Sequence, residues 1–203
     1  MPRNSTHAPR SRLIVATANP GKLAEFRALL AETPFDLTSL GELNLPSPEE
    51  SGSSFLANAT LKARHASALS GLAALADDSG LEVDALNGAP GVYSARYAGA
   101  QGDDAANNLK LVAALAGVPK DKRRARYRCV LVLVRAPSDP APLIAEGVWE
   151  GEIIDSPRGS GGFGYDPYFY LPALKCTAAE LSADTKNRLS HRGRALQALR
   201  ERL

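Results

Sequence analysis

The sequence predicts an α/β fold on a mixed sheet with flanking helices, and three stretches carry that prediction. The apolar run Leu13 to Thr17 leads through Asn19-Pro20-Gly21 into Leu23, Phe26, Leu29 and Leu30 at helical spacing. A helix over about 54–70 is followed at once by a second apolar run, Leu72 to Ala76. Two β-rich runs, Arg126 to Arg135 and Leu143 to Trp149, flank Pro137-Ser-Asp-Pro140 and read as an antiparallel hairpin.

The elements follow in order. Leu13 to Thr17 is a strand, and Asn19 caps a helix with Pro20 at its first position. Phe35 to Leu40 is a short strand, and the Pro-, Ser- and Glu-rich stretch from Gly41 to Ser54 is a loop. Phe55, Asn58, Lys62, His65 and Leu69 share one helical face, whose mixed polarity points to a cleft. Leu72 to Ala76 is a buried strand ended by a turn at Gly80. Leu81, Val83, Val92 and Tyr93 form short extended pieces around an Asn87-Gly88 turn. Asp103 to Leu115 is helical with Gly117 as its stop. Ser156 to Gly164 is a glycine-rich loop, Thr177-Ala-Ala-Glu180 opens a short helix by a capping box, and Ser190 to Leu203 is the last helix with Leu196, Leu199 and Leu203 inward.

Composition narrows the function classes. The chain has 203 residues, 44% hydrophobic and 23% charged, with a net charge of +2. That fits one soluble domain over 13–203, with residues 1–12 as a disordered basic tail lacking the apolar core of a signal peptide. No apolar run approaches the ~20 residues that span a bilayer. The cations Lys120, Lys122, Arg123, Arg124, Arg126 and Arg128 read as a solvated hairpin rather than a nucleic-acid surface. Cys129, inside an apolar run, and Cys176 give neither a disulfide framework nor zinc spacing, so a reducing cytoplasmic setting is expected.

The chemistry concentrates at Asp77-Asp78-Ser79-Gly80. Adjacent carboxylates at the end of a strand repel each other unless a cation or proton relieves them, so they suggest a metal site or an acid/base site. Thr17, Ala18, Asn19, Pro20, Gly21 and Lys22 form a strand-to-helix turn whose N–H groups and positive helix end suit phosphate. Glu49 and Glu50 can join Asp77 and Asp78 in a carboxylate set for Mg²⁺, which takes one or two carboxylates and completes its shell with water and phosphate. Gly159 to Gly164 matches G-x-G-x-x-G literally, but it runs into Tyr165-Asp166-Pro167 instead of opening a helix, so it is not a dinucleotide fingerprint. Phe163 within it is a candidate stacking plate. Asp78-Ser79-Gly80 occurs once, which poorly fits the paired carboxylates of aspartic proteases. Ser190-His191-Arg192 places a cap and two donors at a helix start.

Six segments in order resemble the inosine triphosphate pyrophosphatase family, closest to its bacterial branch. They are Ala16 to Lys22, Ser54 to Ala59 with Lys62-Ala-Arg64, Ala76 to Gly80, Gly88 to Gly91 with Ser94 to Tyr97, Gly161 to Pro167, and Leu189 to Gly193. The pattern usually has Gly where Ala18 stands. The resemblance implies an elongated two-lobed mixed α/β fold around a central cleft, a homodimer, and Mg²⁺-dependent hydrolysis of ITP, dITP and XTP to monophosphate and pyrophosphate. It implies Asp78 as general base and metal ligand, with Glu50 and Glu49 completing the metal site. Thr17 to Lys22 and Lys62 would line the triphosphate. Ser79, Phe163, Gly164, Tyr165, Asp166, Lys186, His191 and Arg192 would hold the base and sugar. A pyrophosphatase for other modified nucleotides and a nucleotide-binding module without catalysis are the alternatives. Neither nucleic acid nor membrane is an expected partner.

Overall fold

A computed structural model describes residues 11–100 and 102–203. Among these residues one mixed sheet of seven strands runs in the order β2-β1-β3-β4-β5-β6-β7. Its strands are β1 (Ser11–Val15), β2 (Phe35–Ser39), β3 (Ala73–Val83), β4 (Arg124–Val134), β5 (Leu143–Ile153), β6 (Phe169–Leu171) and β7 (Cys176–Thr177). The helices are α1 (Pro20–Leu29), α2 (Phe55–Ser70), α3 (Asp104–Ala114), α4 (Ala183–Leu189) and α5 (His191–Arg200). β1 pairs in parallel with β2 and β3, and the rest of the sheet is antiparallel.

Strand alternation builds the layers. On one face Leu13, Val15, Leu75, Cys129 and Leu131 pack against Phe26 of α1 and Leu196 and Leu199 of α5. On the other, Ile14, Ala16, Ala74, Ala76, Val130 and Val132 pack against Phe55, Ala59, Ala63 and Ala66 of α2. A third core lies farther along the long strands, where Leu81, Val83, Tyr127 and Trp149 meet Leu111 of α3 and Phe169 of β6. Between Ala76 and Leu81, β3 passes from the first two cores to the third, and the four residues between them are Asp77, Asp78, Ser79 and Gly80. The mixed sheet, its helical layers and the cleft between cores agree with the predicted class.

Several boundaries differ from those read in the sequence. Residues 1–10 of the expected tail lie outside the described residues, while Ser11 and Arg12 pair with Phe35 and Asp36 as the start of β1. β3 does not turn at Gly80. It continues to Val83 because β4 pairs with it as far as Ala125, opposite Val83. The glycine there serves close approach. A Cβ at Gly80 would overlap the carbonyl oxygen of Gly91 and lie 2.5 Å from Ser94 Oγ. Val92 and Tyr93 are not extended. They belong to a 3₁₀ turn over Gly91–Arg96, where the Ser94 hydroxyl donates to Gly91 O at 2.6 Å and accepts the Leu81 N–H at 2.9 Å. The helix α4, with Ser182 as its cap, was not expected. α5 stops at Arg200, so Leu203 is exposed instead of inward.

The hairpin, the capped helices α1 and α2, and the capping box of Thr177 and Glu180 stand where the sequence puts them. Three cations of the basic segment pair off on or beside the sheet: Arg123 with Asp155, Arg126 with Asp84 at 2.8 Å, and Arg128 with Glu146 at 2.9 Å. Cys129 is buried as expected, and burial pushes its thiol up to about 12.

Gly80→Ala should destabilise the fold by about 1–3 kcal/mol, the range for overpacking a tight site. Urea unfolding followed by the fluorescence of Trp149, the single tryptophan, measures it. An unchanged midpoint would show that the Gly91–Ser94 segment yields freely.

Candidate active site

β1 pairs with β3 from Leu13 opposite Ala73 only as far as Val15 opposite Leu75, and Ala16 N–H closes on Leu75 O at 2.8 Å. From Asp77 to Ser79 no strand among the described residues pairs with this edge of β3; farther on it is covered again, by Ser94 at Leu81 and by Ala89 at Val83. The chain leaving β1 makes the turn Thr17 to Lys22, which lies beside the exposed edge. Thr17 Oγ1 accepts the Asn19 N–H at 3.1 Å, and Asn19 Oδ1 accepts the Lys22 N–H at 3.1 Å, so two side chains shape the turn that starts α1. Pro20 occupies the first helical position.

The alternation of β3 sends the two adjacent carboxylates to opposite faces. Asp77 points toward α1 and α5. Its Oδ2 lies 2.9 Å from Lys22 Nζ and 3.1 Å from Arg192 Nη2, and it accepts the Ser79 hydroxyl at 2.9 Å. Asp77 is fully buried. Burial raises its carboxyl, but Lys22 and Arg192 outweigh that and hold it far below the ordinary carboxylate range. Arg192 also donates to Ser79 Oγ at 2.9 Å and pairs with Glu25 of α1.

Asp78 faces α2. Its Oδ1 is 2.7 Å from Lys62 Nζ, and its Oδ2 accepts the Asn58 amide at 3.2 Å. Lys62 reaches Glu50 at 3.0 Å in the same position, and Arg96 holds the other oxygen of Glu50 at 3.1 Å. Burial pushes the Asp78 carboxyl above its usual range, and Lys62 offsets this only in part. For Glu50 the balance reverses: burial is outweighed by Lys62, and its carboxyl is lowered. Burial would depress the Lys62 ammonium, but Asp78, Asp77 and Glu50 raise it.

Two cavities meet here. The first, about 540 Å³, is lined by Thr17, Ala18, Asn19, Lys22, Glu49, Glu50, Lys62, Asp78, Ser79 and Arg96, among others. The second, about 130 Å³, continues past Lys22 and Ser79 to Tyr127, Phe163, Gly164, Tyr165, Asp166, Lys186, His191 and Arg192. Phe163 lines the second. Its ring lies 4.6 Å beneath Lys186 Nζ, and a Cβ on Gly21 would come 2.9 Å from its Cδ1. Asp166 Oδ2 accepts the Phe163 N–H at 2.8 Å and Lys186 Nζ at 2.6 Å, and burial raises its carboxyl against the pull of Lys186.

His191 stacks on Tyr127 with centroids 4.7 Å apart and planes 12° from parallel. Burial, with Arg192 and Lys186 nearby, pushes its imidazole well below the usual value, so it is neutral at pH 7. Its depth follows from Gly147 on β5, where a Cβ would overlap His191 O, so only glycine lets α5 lie so close to the sheet. Among the described residues, His191 Nδ1, Arg192 Nε and Asp77 Oδ1 are buried side-chain atoms without a hydrogen-bond partner. Unpaired buried polar atoms clustered at a cavity are unmet binding capacity.

Most site residues singled out in the sequence line one of these cavities; Pro20 and Gly21 instead shape the turn, and Asp77 and Ser190 are buried behind the lining. Glu49 is exposed on the wall of the first, whereas Glu50 turns inward to Lys62 and Arg96. His65 and Leu69, placed on the cleft face by helical spacing, do not reach the site: His65 bonds Pro46 O at 2.9 Å, and Leu69 is exposed. The sequence reading missed Arg96, Glu25 and Tyr127. Arg96 stood within a motif of the resemblance. Glu25 lies one helical turn from Lys22, a spacing that signals a shared face. Tyr127 sits inside a β-run and gave no separate signal.

The sequence profile of the Ham1 family matches residues 13–202. A dITP/XTP pyrophosphatase of Ralstonia nicotianae is 60% identical over 195 residues, covering 95% of this chain and 96% of that protein. One from Vibrio cholerae is 52% identical over 188 residues, covering 93% and 94%. The solved structure of a HAM1 protein from Coxiella burnetii superposes with a TM-score of 0.86 at 49% identity, covering 93% of this chain and 96% of that one. A Mycobacterium abscessus structure described as a nucleoside-triphosphatase / dITP/XTP pyrophosphatase gives a TM-score of 0.73 at 46% identity, covering 93% and 98%. With the profile spanning the ordered sheet and both cavities, the chain belongs to the Ham1 family.

Proposed function

We propose that this protein hydrolyses non-standard purine nucleoside triphosphates, ITP, dITP and XTP, to the monophosphate and pyrophosphate. One observation carries the reading. A phosphate turn and a cation–carboxylate cluster line one cavity, and a stacking plate with buried unpaired nitrogens of His191 and Arg192 lines the next, joined at Lys22 and Ser79. The names of the relatives support the same activity. A cytoplasmic homodimer with residues 13–203 as its one domain belongs to this reading and rests on the resemblance.

Asp78 and Glu50 converge on one cationic position, taken by Lys62 Nζ at 2.7 and 3.0 Å. Among the described residues no group of three His, Cys, Asp or Glu side chains gathers as a metal cage. Two carboxylates and no cage fit Mg²⁺ that arrives with substrate phosphates, with Asp78 and Glu50 as ligands and Glu49 in reach of the same cavity. Bound there, the ion would neutralise phosphate charge and orient the leaving pyrophosphate.

The protein groups do the rest. The N–H groups of Ala18 and Gly21, left over once Thr17, Asn19 and Lys22 have donated theirs, and the positive end of α1 receive phosphate oxygens. Lys22 and Lys62 add full charge where negative charge builds up on the phosphoryl group. Asp78 takes the proton of the attacking water on a carboxylate oxygen, and its raised affinity for a proton suits a base. Asp77 stays ionised and holds Lys22 and Arg192 in place. Phe163 stacks on the purine. Arg192 and neutral His191 offer donors to a 6-oxo group, and an adenine 6-amino group would meet them donor to donor.

Pyrophosphate release from ITP, XTP, ATP and GTP, with and without Mg²⁺, tests the activity. ITP and XTP should be cleaved and ATP spared, only with the divalent ion; equal cleavage of ATP would overturn the selectivity. Asp78→Asn should lower kcat by about 10²–10⁴-fold while nucleotide still binds, and undiminished turnover would remove Asp78 as the base. His191→Ala and Arg192→Ala should each lower the ITP/ATP ratio of kcat/KM.

The buried neutral imidazole also makes a stability prediction. The unfolded chain protonates His191 near its ordinary pKa of about 6.5, and the folded chain does so only at lower pH. Stability is therefore fully present above about pH 6.5 and is lost as pH falls from there toward the folded-state pKa, by up to about 1.4 kcal/mol per pH unit from this group. His191→Phe keeps an aromatic ring on Tyr127 and should flatten the slope between pH 6.5 and 5 in urea titrations. An identical slope would show that His191 is not the group responsible.

A further inference from the structure

The loop that presents Phe163 contains glycines at 159, 161, 162 and 164. Such a segment has few side chains with which to anchor itself and a large conformational entropy to lose. Its aim must come from outside. On one side the anchors are Asp166 and Lys186, described above. On the other side stands α3, which no sequence motif connects with the site.

Gly164 is gripped at both of its backbone groups. Its N–H donates to Asp104 Oδ2 at 2.7 Å, and its carbonyl accepts the Asn108 side-chain amide at 2.9 Å. The same Asn108 nitrogen donates to Asp104 O at 2.8 Å, which ties the two gripping residues together one helical turn apart. Gly164 has a φ of +63°, a left-handed conformation that turns the chain sharply just after Phe163. The next residue is fastened too: the Tyr165 hydroxyl donates to Ser94 O at 2.7 Å. Asp104 lines the second cavity but not the first, and none of its hydrogen bonds reaches Lys22, Lys62 or the Thr17–Lys22 turn.

We propose that Asp104 and Asn108 are positioning residues that latch the Phe163 plate by holding Gly164 from both sides, and so set the affinity for the base while leaving the triphosphate end untouched. The inference rests on the nucleotide reading of the second cavity. A charge-assisted bond to a backbone N–H is among the stronger hydrogen bonds. Its loss frees a glycine to swing the ring off the purine, and small misplacements of a positioning group have large kinetic effects.

Asp104→Ala, Asp104→Asn and Asn108→Ala test the latch. Asp104 is exposed, so its variants should fold. Two measurements are made on each. The first is amide hydrogen exchange at Gly164 by NMR, which needs no substrate. The second is steady-state kinetics with ITP, beside the inhibition constant of inorganic tripolyphosphate, which has no base. Asp104→Ala should speed Gly164 exchange and raise KM for ITP roughly tenfold. Its kcat should stay within about twofold, and the tripolyphosphate constant should not change. Asp104→Asn keeps an acceptor oxygen in place and should restore most of both effects. Asn108→Ala should follow Asp104→Ala in KM.

Unchanged Gly164 exchange in Asp104→Ala would overturn the grip. Faster exchange with an unchanged KM would overturn its role in base binding. Equal losses for ITP and tripolyphosphate would mean general damage to the site and would also overturn the proposal. If the wild-type protein cleaves none of the purine triphosphates, the nucleotide reading falls, and the exchange measurement still decides whether Asp104 holds the loop.

Discussion

Two adjacent carboxylates can be held in one site only if something keeps them apart, and here the two-residue period of β3 does it. Asp77 and Asp78 are neighbours in sequence, yet they face opposite sides of the sheet. Asp77 meets Lys22 and Arg192 from the α1 and α5 layer. Asp78 meets Lys62 and Asn58 from the α2 layer. Each carboxylate thus has its own cations, and the two acquire different chemistry. One is driven far below the ordinary range and the other above it. A one-residue slip of β3 against β4 would exchange the two faces and put each acid among the other's partners.

The same strand explains why the site is where it is. Asp77 to Gly80 bridge the paired cores beneath α1, α2 and α5 and the third core around Trp149 and Phe169. β1 ends beside them, so part of the β3 edge is left without a neighbouring strand. In a mixed sheet such an unpaired stretch at the end of a parallel neighbour is where a ligand finds backbone and side chains together. Five cations, Lys22, Lys62, Arg96, Lys186 and Arg192, line the two cavities, each against a carboxylate. Held in this way, the cations are aimed before a substrate arrives. An anion entering such a site competes with carboxylates already in place and need not order flexible side chains, which is the basis of electrostatic preorganisation.

Legibility followed the range of the interactions. Asn19 with Pro20, Ser54, and Thr177 with Glu180 are caps made within four residues, and each was readable. The hairpin was readable because its strands are adjacent in sequence. Gly80 misled because its use is tertiary: it looks like a turn, yet it is a strand position stripped of its side chain so that the carbonyl of Gly91 and the hydroxyl of Ser94 can approach. Val92 and Tyr93 misled for a related reason, since bonds among Gly91, Ser94 and Leu81 override their β-propensity. At the site, the residue types were legible and the partners were not. Asp77 had no role until Arg192, 115 residues away, was seen against it. Glu49 and Glu50 were indistinguishable until Arg96 and Lys62 selected Glu50.

In the proposed reaction, the protonation states of Arg192 and His191 bear directly on selectivity. Arg192 is buried between Asp77 and Glu25, and their charges raise its guanidinium despite the cost of burial, so it is a donor at every relevant pH. His191 next to it cannot also be charged, because burial and that same guanidinium oppose a second proton. The pair therefore presents one fixed cation and one neutral ring, with Nε and Nδ1 respectively left without protein partners. In the proposed reaction, an acceptor on the purine satisfies the cation, whereas an amino group leaves two donors facing each other in a dry pocket. The second arrangement forfeits hydrogen bonds that water would have supplied, a penalty of about 1–3 kcal/mol for each stranded group. Selectivity of this kind needs the base to be held flat and close. It depends as much on the aim of Phe163, and on the glycine that follows it, as on the donors themselves.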